Sequence, residues 1–321
     1  MKILATYGAY LEHALQQQVF PEQPAQLYDP LRYFLQLGGK RLRPMLSLMA
    51  CKVAGGSMEK ALDAALAVEY FHNFSLIHDD IMDAAPLRRG QATVHEKWNS
   101  NIGILSGDVL LVKAYEHLGA YDSTTFHELF KIFNKTAIEV CEGQQMDMDF
   151  ETMSDVSEQE YIEMIRLKTS VLLGCALQIG GIVGGLNTED AQLLYAFGEQ
   201  LGLAFQIQDD ILDLYGESAQ VGKQIGGDVI ANKKTLLSIS AKNAATPEQL
   251  QALIELEESQ NTSLKVAKTK ELYTALGARK YCEKKMEEHH QNAIEALQKI
   301  TTKGSKEELI ELAEFLFTRA H

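Results

Sequence analysis

No proline interrupts the chain between Pro86 and Pro247. A proline inside a helix removes a backbone donor and clashes with the preceding turn. This long middle segment is rich instead in Ala, Leu, Met, Gln and Glu, all good helix formers. Runs of β-branched residues bounded by turn signals are almost absent. The chain therefore reads as all-α. Residues 3–20 are predicted as a first helix, ended by Pro21 and Pro24, and a short helix from Pro30 leads into GGKRLRP at 38–44. Helix signals resume after Pro44 and stop at Gly55 and Gly56. Ser57 is placed to cap the next helix, with Glu59 in its first turn, and that helix runs to about Met82. Pro86 and Gly90 make the following segment a loop. Further helices are expected near 101–119, 124–149, 157–184 and 188–215. A glycine-containing loop at 216–232 and four or five shorter, more charged helices from 234 to 319 complete the chain. There is no Pro/Ser-rich linker, low-complexity segment or short repeat, so residues 1–321 read as one domain.

Two acidic clusters stand out on this helical background. One is FHNFSLIHDDIMD at 71–83, with Asp79, Asp80 and Asp83; the other is QIQDDILD at 206–213, with Asp209, Asp210 and Asp213. Asp79 and Asp83 are four residues apart, as are Asp209 and Asp213, which puts each pair on one helix face. Like charges at that spacing are mildly destabilising. Each cluster also follows an apolar turn, Phe74–Leu76–Ile77 in one and Ala204–Phe205–Ile207 in the other. Solvated acidic faces are common, but carboxylates in apolar helices are expensive unless compensated. The two clusters therefore point to one shared site for hard divalent cations, which prefer carboxylate oxygens.

Basic residues gather around these clusters. Lys40, Arg41 and Arg43 follow two glycines, Arg88 and Arg89 follow the first aspartates, Lys168 sits mid-chain, and Lys223 and Lys233 follow the second aspartates. Such a set suits two anionic groups, one bridged by metal ions and one held by Arg and Lys alone, with diphosphate the natural candidate. The formal net charge of -14 argues against a nucleic-acid binder, whose footprint would be basic. The four cysteines, Cys51, Cys141, Cys175 and Cys282, are scattered with no C-x-x-C pair, which fits buried or semi-buried thiols in a reducing compartment. The N-terminal segment carries Glu12 and three glutamines after a short apolar run and does not read as a signal peptide. The longest apolar stretch, 170–186, is broken by Gln178 and five glycines, short of a span of about 20 apolar residues. A soluble, cytoplasmic protein without stable membrane insertion is the expectation. Glu69-x-x-His72 and Glu287-x-x-His290 raise a di-iron carboxylate bundle. The second copy lies in KKMEEHHQN, which reads as polar all round, and further paired glutamates are not evident.

Taken together, these residues resemble the trans-type polyprenyl diphosphate synthases, the farnesyl and geranylgeranyl diphosphate synthase group. The matching pieces are GGKRLRP at 38–44, HNFSLIHDDIMD with RRG at 72–90, GQQMD at 143–147, Lys168-Thr169, FQIQDDILD at 205–213, and GKQIGGD with NKKT between 222 and 235. They occur in the family's order, whereas the C-terminal third matches only in being helical. The resemblance implies an all-α, isoprenoid-synthase-type bundle around a deep central cavity, a homodimer, with the two aspartate motifs facing each other at the cavity mouth. It implies that Asp79, Asp80 and Asp83 bind Mg²⁺ from one side and Asp209 with Asp213 from the other, three ions per active site with substrate bound, Asp210 supporting them. Arg88, Lys168, Thr169, Gln206, Lys223 and Lys233 would hold the allylic diphosphate. Lys40, Arg43, His72 and Arg89 would hold isopentenyl diphosphate without metal. The catalytic set is then Asp79, Asp80, Asp83, Lys168, Asp209 and Lys223.

By the same resemblance the residue five before the first aspartate sets the floor of the tail cavity. That residue is Phe74, with Ser75 beside it and Phe71 one turn further down. At 1.5 Å per residue Phe74 lies about 7–8 Å along the helix from Asp79. An aromatic there, with only two residues between the aspartate groups of the first motif, looks most like a geranylgeranyl (C20) enzyme, with farnesyl (C15) next and a longer-chain synthase as the alternative. A class I terpene cyclase shares the fold and first motif, but its second metal motif would carry Asn or Asp with Ser or Thr and Glu. An inactive partner subunit would have lost aspartates or basic residues, and none is missing here.

Overall fold

The computed structural model describes residues 2–216, 225–302 and 304–318. Its regular structure is helical apart from one two-stranded hairpin. In chain order the elements are α1 (Lys2–Gln16), α2 (Ala25–Gln36), α3 (Leu42–Val53), α4 (Leu62–Met82), β1 (Leu87–Arg88), β2 (Gln91–Ala92), α5 (Val94–Lys97), α6 (Ser100–Leu118), α7 (Ser123–Thr152) and α8 (Glu158–Ile165). A π-helical turn (Arg166–Ser170) joins α8 to α9 (Val171–Gly184). Then follow α10 (Thr188–Tyr215), α11 (Gly227–Ile230), α12 (Leu236–Ala244), α13 (Pro247–Glu257), α14 (Thr262–Ala275), α15 (Ala278–Lys299) and α16 (Glu307–Phe317).

The all-α expectation holds, and the long helices begin and end close to where proline and glycine placement puts them. Local chemistry sets several starts. Asn99 accepts from the Ile102 N–H to cap α6, and Ser157 with Glu160 forms a capping box on α8. Pro247 opens α13 behind a Thr246–Gln249 box. Each such cap is worth about 1 kcal/mol. Four expectations differ. The second helix opens at Ala25 and carries Pro30 inside it instead of starting there. Ser57 does not cap α4: turns occupy 58–61 and the helix opens at Leu62 after Ala61. The loop after Pro86 contains the β1–β2 hairpin, in register Leu87↔Ala92 and Arg88↔Gln91. The segment KKMEEHHQN is not polar all round: α15 buries Cys282, Met286, Ala293 and Leu297 along one stripe.

The chain divides into two compact units. The first comprises Met1–Asn134, Cys175–Gln192 and Thr301–Glu308, and the second Lys135–Gly174, Leu193–Ile300 and Leu309–His321. In the first unit α4 is central. Its N-terminal half buries Ala64, Ala65, Leu66, Ala67, Val68, Tyr70 and Phe71, so it is apolar nearly all round, as a core helix must be. α3 and α6 pack against it. α6 comes close because Gly107 leaves room for the rings of His78 and Phe74; a methyl there would stand 2.5 Å from His78 Nε2. Gly180 and Gly184 of α9 lie directly on Ser47 and Cys51 of α3 in the same way.

The second unit's core joins Leu203, Ile207, Ile211 and Leu214 of α10 to Tyr161, Met164 and Ile165 of α8, to α12 and to Tyr273, Cys282 and Met286. Fully burying such a side chain contributes about 1.5–3 kcal/mol. By length and composition the stretch Glu158–Gly184 could cross a membrane, but 72% of its most apolar window is buried inside the fold. That is how a core helix behaves.

Candidate active site

In the first unit the last turns of α4, the hairpin and the 38–44 segment bring one set of predicted residues together. Asp80 is buried and Asp79 half-buried, whereas Asp83 is exposed just past the helix end, its N–H donating to the Asp79 carbonyl. Arg88 grips the first two. Its Nε lies 2.8 Å from Asp80 Oδ2 and 2.9 Å from Oδ1, and its Nη2 lies 3.4 Å from Asp79 Oδ2. Burial raises the Asp80 carboxyl above the usual range, Arg88 opposes this, and Asp79 adds to it.

The hairpin explains why two adjacent arginines part company. Arg89 and Gly90 both have positive φ, 55° and 76°, as the two central residues of a type I′ turn require. Arg88 precedes the turn on β1 and reaches the aspartates. Arg89, at the turn, sends Nη1 to the Gly38 carbonyl, and its guanidinium lies against Gly39, where a methyl would stand 2.8 Å from Nη2. Lys40 is exposed on the same segment. Arg43, the second residue of α3, places Nη1 3.2 Å from His72 Nε2. Burial pulls the Arg43 guanidinium down to about 10, still charged at neutral pH. Burial, with the cations of Arg43, Arg89, Arg88 and Arg41, pushes His72 well below the usual imidazole value. His72 is thus a neutral ring set among cations.

A network missed by sequence reasoning lies beneath this cluster. Arg41, fully inside, donates to Glu69 Oε1 (2.5 Å), Glu12 Oε1 (2.8 Å) and the Leu35 carbonyl (2.6 Å). Asn73 Nδ2 donates to the same Glu69 carboxylate. Glu69 is therefore committed to an arginine, not to a metal. His290 of the second Glu-x-x-His stacks on Phe317 with ring centroids 4.3 Å apart, and neither copy forms half of a di-iron site. Further down α4, Phe71 is buried against Phe133. Phe74 is half-buried, with centroids 5.6 Å from Phe71 and 4.6 Å from His78, and Ser75 Oγ turns back to the His72 carbonyl.

In the second unit a cavity of about 670 Å³ is lined by Asp147, Lys168, Thr169, Gln206, Asp210, Asp228 and Lys233 among others. Lys168 Nζ lies 2.5 Å from Asp147 Oδ2, and Thr169 Oγ1 donates to Gln206 Oε1 at 3.3 Å. Both Lys168 and Thr169 sit in the π-helical turn. Gly143 of α7 rests on its backbone, where a methyl would stand 2.3 Å from the Lys168 nitrogen. Asp210 is buried and receives the Tyr161 hydroxyl and the Gln206 amide. Burial pushes its carboxyl up to about 8; Asp228 and Asp209 add to this, and the two hydrogen bonds oppose it. Asp209 is exposed, and Asp213 Oδ2 accepts the Asp228 N–H at 3.0 Å. Lys223 lies outside the described residues.

The donor set fits a hard divalent cation. Its members are carboxylate oxygens, and mutual repulsion around Asp210 and Asp80 is what a nearby cation relieves. Among the described residues no three carboxylate, imidazole or thiolate side chains converge into a protein-only cage. Mg²⁺ does not need one, since it keeps waters and takes substrate phosphate oxygens beside one or two carboxylates. Tyr161, Asp228 and Asp147 are further residues of this half without an assigned role in the sequence reading. Asp147 and Asp228 stand in quoted motifs, whereas Tyr161 carries no local signal.

A family profile described as polyprenyl synthetase matches residues 24–276. A short chain isoprenyl diphosphate synthase of Methanothermobacter thermautotrophicus is 35% identical over 322 residues, covering 100% of this chain and 99% of that protein. A geranylgeranyl diphosphate synthase of Methanosarcina mazei is 42% identical over 236 residues, 73% of each chain. A crystal structure of a geranylgeranyl pyrophosphate synthase superposes with a TM-score of 0.93 at 42% identity, covering 99% of this chain and 98% of that one.

Proposed function

Since the chain belongs to the polyprenyl synthetase family, we propose that it is a trans-prenyltransferase. It condenses isopentenyl diphosphate with an allylic diphosphate to a short-chain all-trans product, geranylgeranyl diphosphate (C20), and diphosphate. The observation that carries the reading is the division of Arg88 and Arg89. One is bound to the aspartates and the other to the 38–44 segment that bears Lys40 and Arg43. Two anion sites, one beside carboxylates and one purely cationic, are what two diphosphate substrates need.

In this reading the allylic carbon–oxygen bond breaks heterolytically and the electron pair leaves with diphosphate. The isopentenyl double bond attacks the allylic cation, and the proton then lost passes to the departing diphosphate, so no protein base is required. Asp79, Asp80, Asp83, Asp209 and Asp213 would hold Mg²⁺, which when bound would supply positive charge to the leaving group. Arg88, Lys168, Thr169, Gln206, Lys223 and Lys233 orient the allylic diphosphate. Lys40, Arg43 and Arg89 hold isopentenyl diphosphate, while neutral His72 donates a hydrogen bond without adding charge. Lys168, paired with Asp147, stays positioned until a more highly charged anion competes for it. Phe74, backed by Phe71, closes the tail path, with Ser75 at its side.

Both units would act as one catalytic domain. A homodimer is supported by Ile104, Leu105 and Val112, large apolar side chains left exposed on α6. The thiols of Cys51, Cys175 and Cys282, which are buried, and of Cys141, which is exposed against expectation, form no disulfide and support a reducing, cytoplasmic setting. The test is to incubate the protein and Mg²⁺ with isopentenyl diphosphate and, separately, dimethylallyl, geranyl and farnesyl diphosphate, and to size the products. C20 accumulation is expected; no elongation from any starter overturns the reading.

A further inference from the structure

The segment 226–235 carries Asp228, Lys233 and Lys234 along the wall of the 670 Å³ cavity, and α14 grips it from behind. Lys265, in the first turn of α14, is 4% exposed. Its ammonium has three donors, and all three are used. They reach Asn232 Oδ1 at 2.6 Å, the Glu257 carbonyl at 3.0 Å and the Ile230 carbonyl at 3.3 Å. This is a costly residue for a simple cross-tie. Burying an ammonium is expensive unless its partners compensate, and these partners are two main-chain carbonyls and an amide. The first turn of a helix also presents the positive end of the dipole, which disfavours a cation.

The grip falls where the backbone turns. Asn232 has φ 53° and immediately precedes Lys233. Next to Lys265, Val266 packs on Gly226, where φ is 74° and a methyl would stand 2.7 Å from Val266 Cγ1. Asp213 holds the same segment by accepting the N–H groups of Gly226 (2.7 Å) and Asp228 (3.0 Å), and Lys233 N–H closes onto the Asp228 carbonyl at 2.9 Å. We propose that Lys265 is a positioning residue for the allylic diphosphate: by fixing Ile230 and Asn232 it sets where Lys233 meets the cavity. The name of the ligand rests on the prenyltransferase reading above; the clamp itself does not.

Lys265→Met keeps the stem and removes every donor. In the full-length protein the KM for the allylic diphosphate should rise about tenfold, the lower end of what losing an orienting group costs at metal sites, with the KM for isopentenyl diphosphate unchanged. Hydrogen exchange should accelerate at the amides of 226–235. Asn232→Gly keeps the left-handed turn and removes the whole amide, which accepts from Lys265 and donates to the Glu257 carbonyl at 3.1 Å, so it should act in the same direction. The effects of the two variants should be less than additive in the double variant, because they share the Lys265–Asn232 hydrogen bond. If Lys265→Met fails to fold, Asn232→Gly carries the test alone. Unchanged exchange at 226–235, equal rises in both KM values, or additive effects would overturn the proposal. Should the wild-type protein show no condensation, the functional reading fails and the exchange measurement still decides the role of Lys265.

Discussion

Among the described residues of the first unit, Glu69→Gln removes one charge from the most deeply buried ion pair. The side chains of Arg41 and Glu69 are 1% and 3% exposed, and the pair closes at 2.5 Å. At an effective dielectric near 20 and a charge separation of about 4 Å, such a pair attracts by about 4 kcal/mol. Removing one partner of a buried pair costs about 3–5 kcal/mol, because the remaining charge stays desolvated. Glu12 stays bound to Arg41 but is 42% exposed, so it compensates only in part, and a loss of about 3 kcal/mol is expected. The assay is urea unfolding followed by the fluorescence of Trp98, the chain's single tryptophan, which sits in the same unit edge-on to Tyr33. A companion variant, Arg41→Met with Glu69→Leu, removes both charges at similar volume. It should recover at least half of the loss, since desolvation is then no longer borne by a lone cation. A loss below about 1 kcal/mol for Glu69→Gln, or a double variant less stable than the single, would refute the argument.

Asp79→Asn, or chelation of Mg²⁺, should lower condensation at least about 100-fold, the scale of removing one electrostatic stabiliser of a transition state; undiminished turnover would sink the metal assignment. Phe74→Ala should lengthen the products by one or more isoprene units in a product-sizing assay, and an unchanged spectrum would place the floor elsewhere. His72 has a folded-state pKa below the unfolded value near 6.5. Below that pH the unfolded chain binds a proton that the folded chain excludes, so stability falls as pH drops, by up to about 1.4 kcal/mol per unit. His72→Gln should flatten the urea midpoint between pH 6.5 and 5, whereas an unaltered slope would show that the ring is not held neutral.

The helices were legible because proline and glycine are local signals. The acidic clusters were legible because their spacing survives folding onto one helix face. The π-helical turn at Arg166–Ser170 was not, since the segment reads as one helix from 157 to 184 and the close approach of Gly143 to the Lys168 backbone is a contact between residues far apart in the sequence. The hairpin after Pro86 was hidden because its turn is Arg-Gly rather than one of the usual Asn-Gly or Asp-Gly pairs. Tyr161 and Asp210 are separated by 49 residues, and nothing local marks a tyrosine as the partner of a carboxylate. Glu69 shows the reverse error. Its spacing to His72 suggested a metal ligand, and only the approach of Arg41 from a distant helix start reveals its use.

The β1–β2 hairpin also constrains how this chain can vary in length. Surface turns are usually where insertions and deletions are tolerated. Here two neighbouring guanidinium groups are sorted to different destinations by a two-residue turn. Because side chains alternate along a strand, adding or removing one residue would trade their directions, delivering the wrong cation to each anion. A single-codon indel there should therefore be as damaging as the loss of an aspartate.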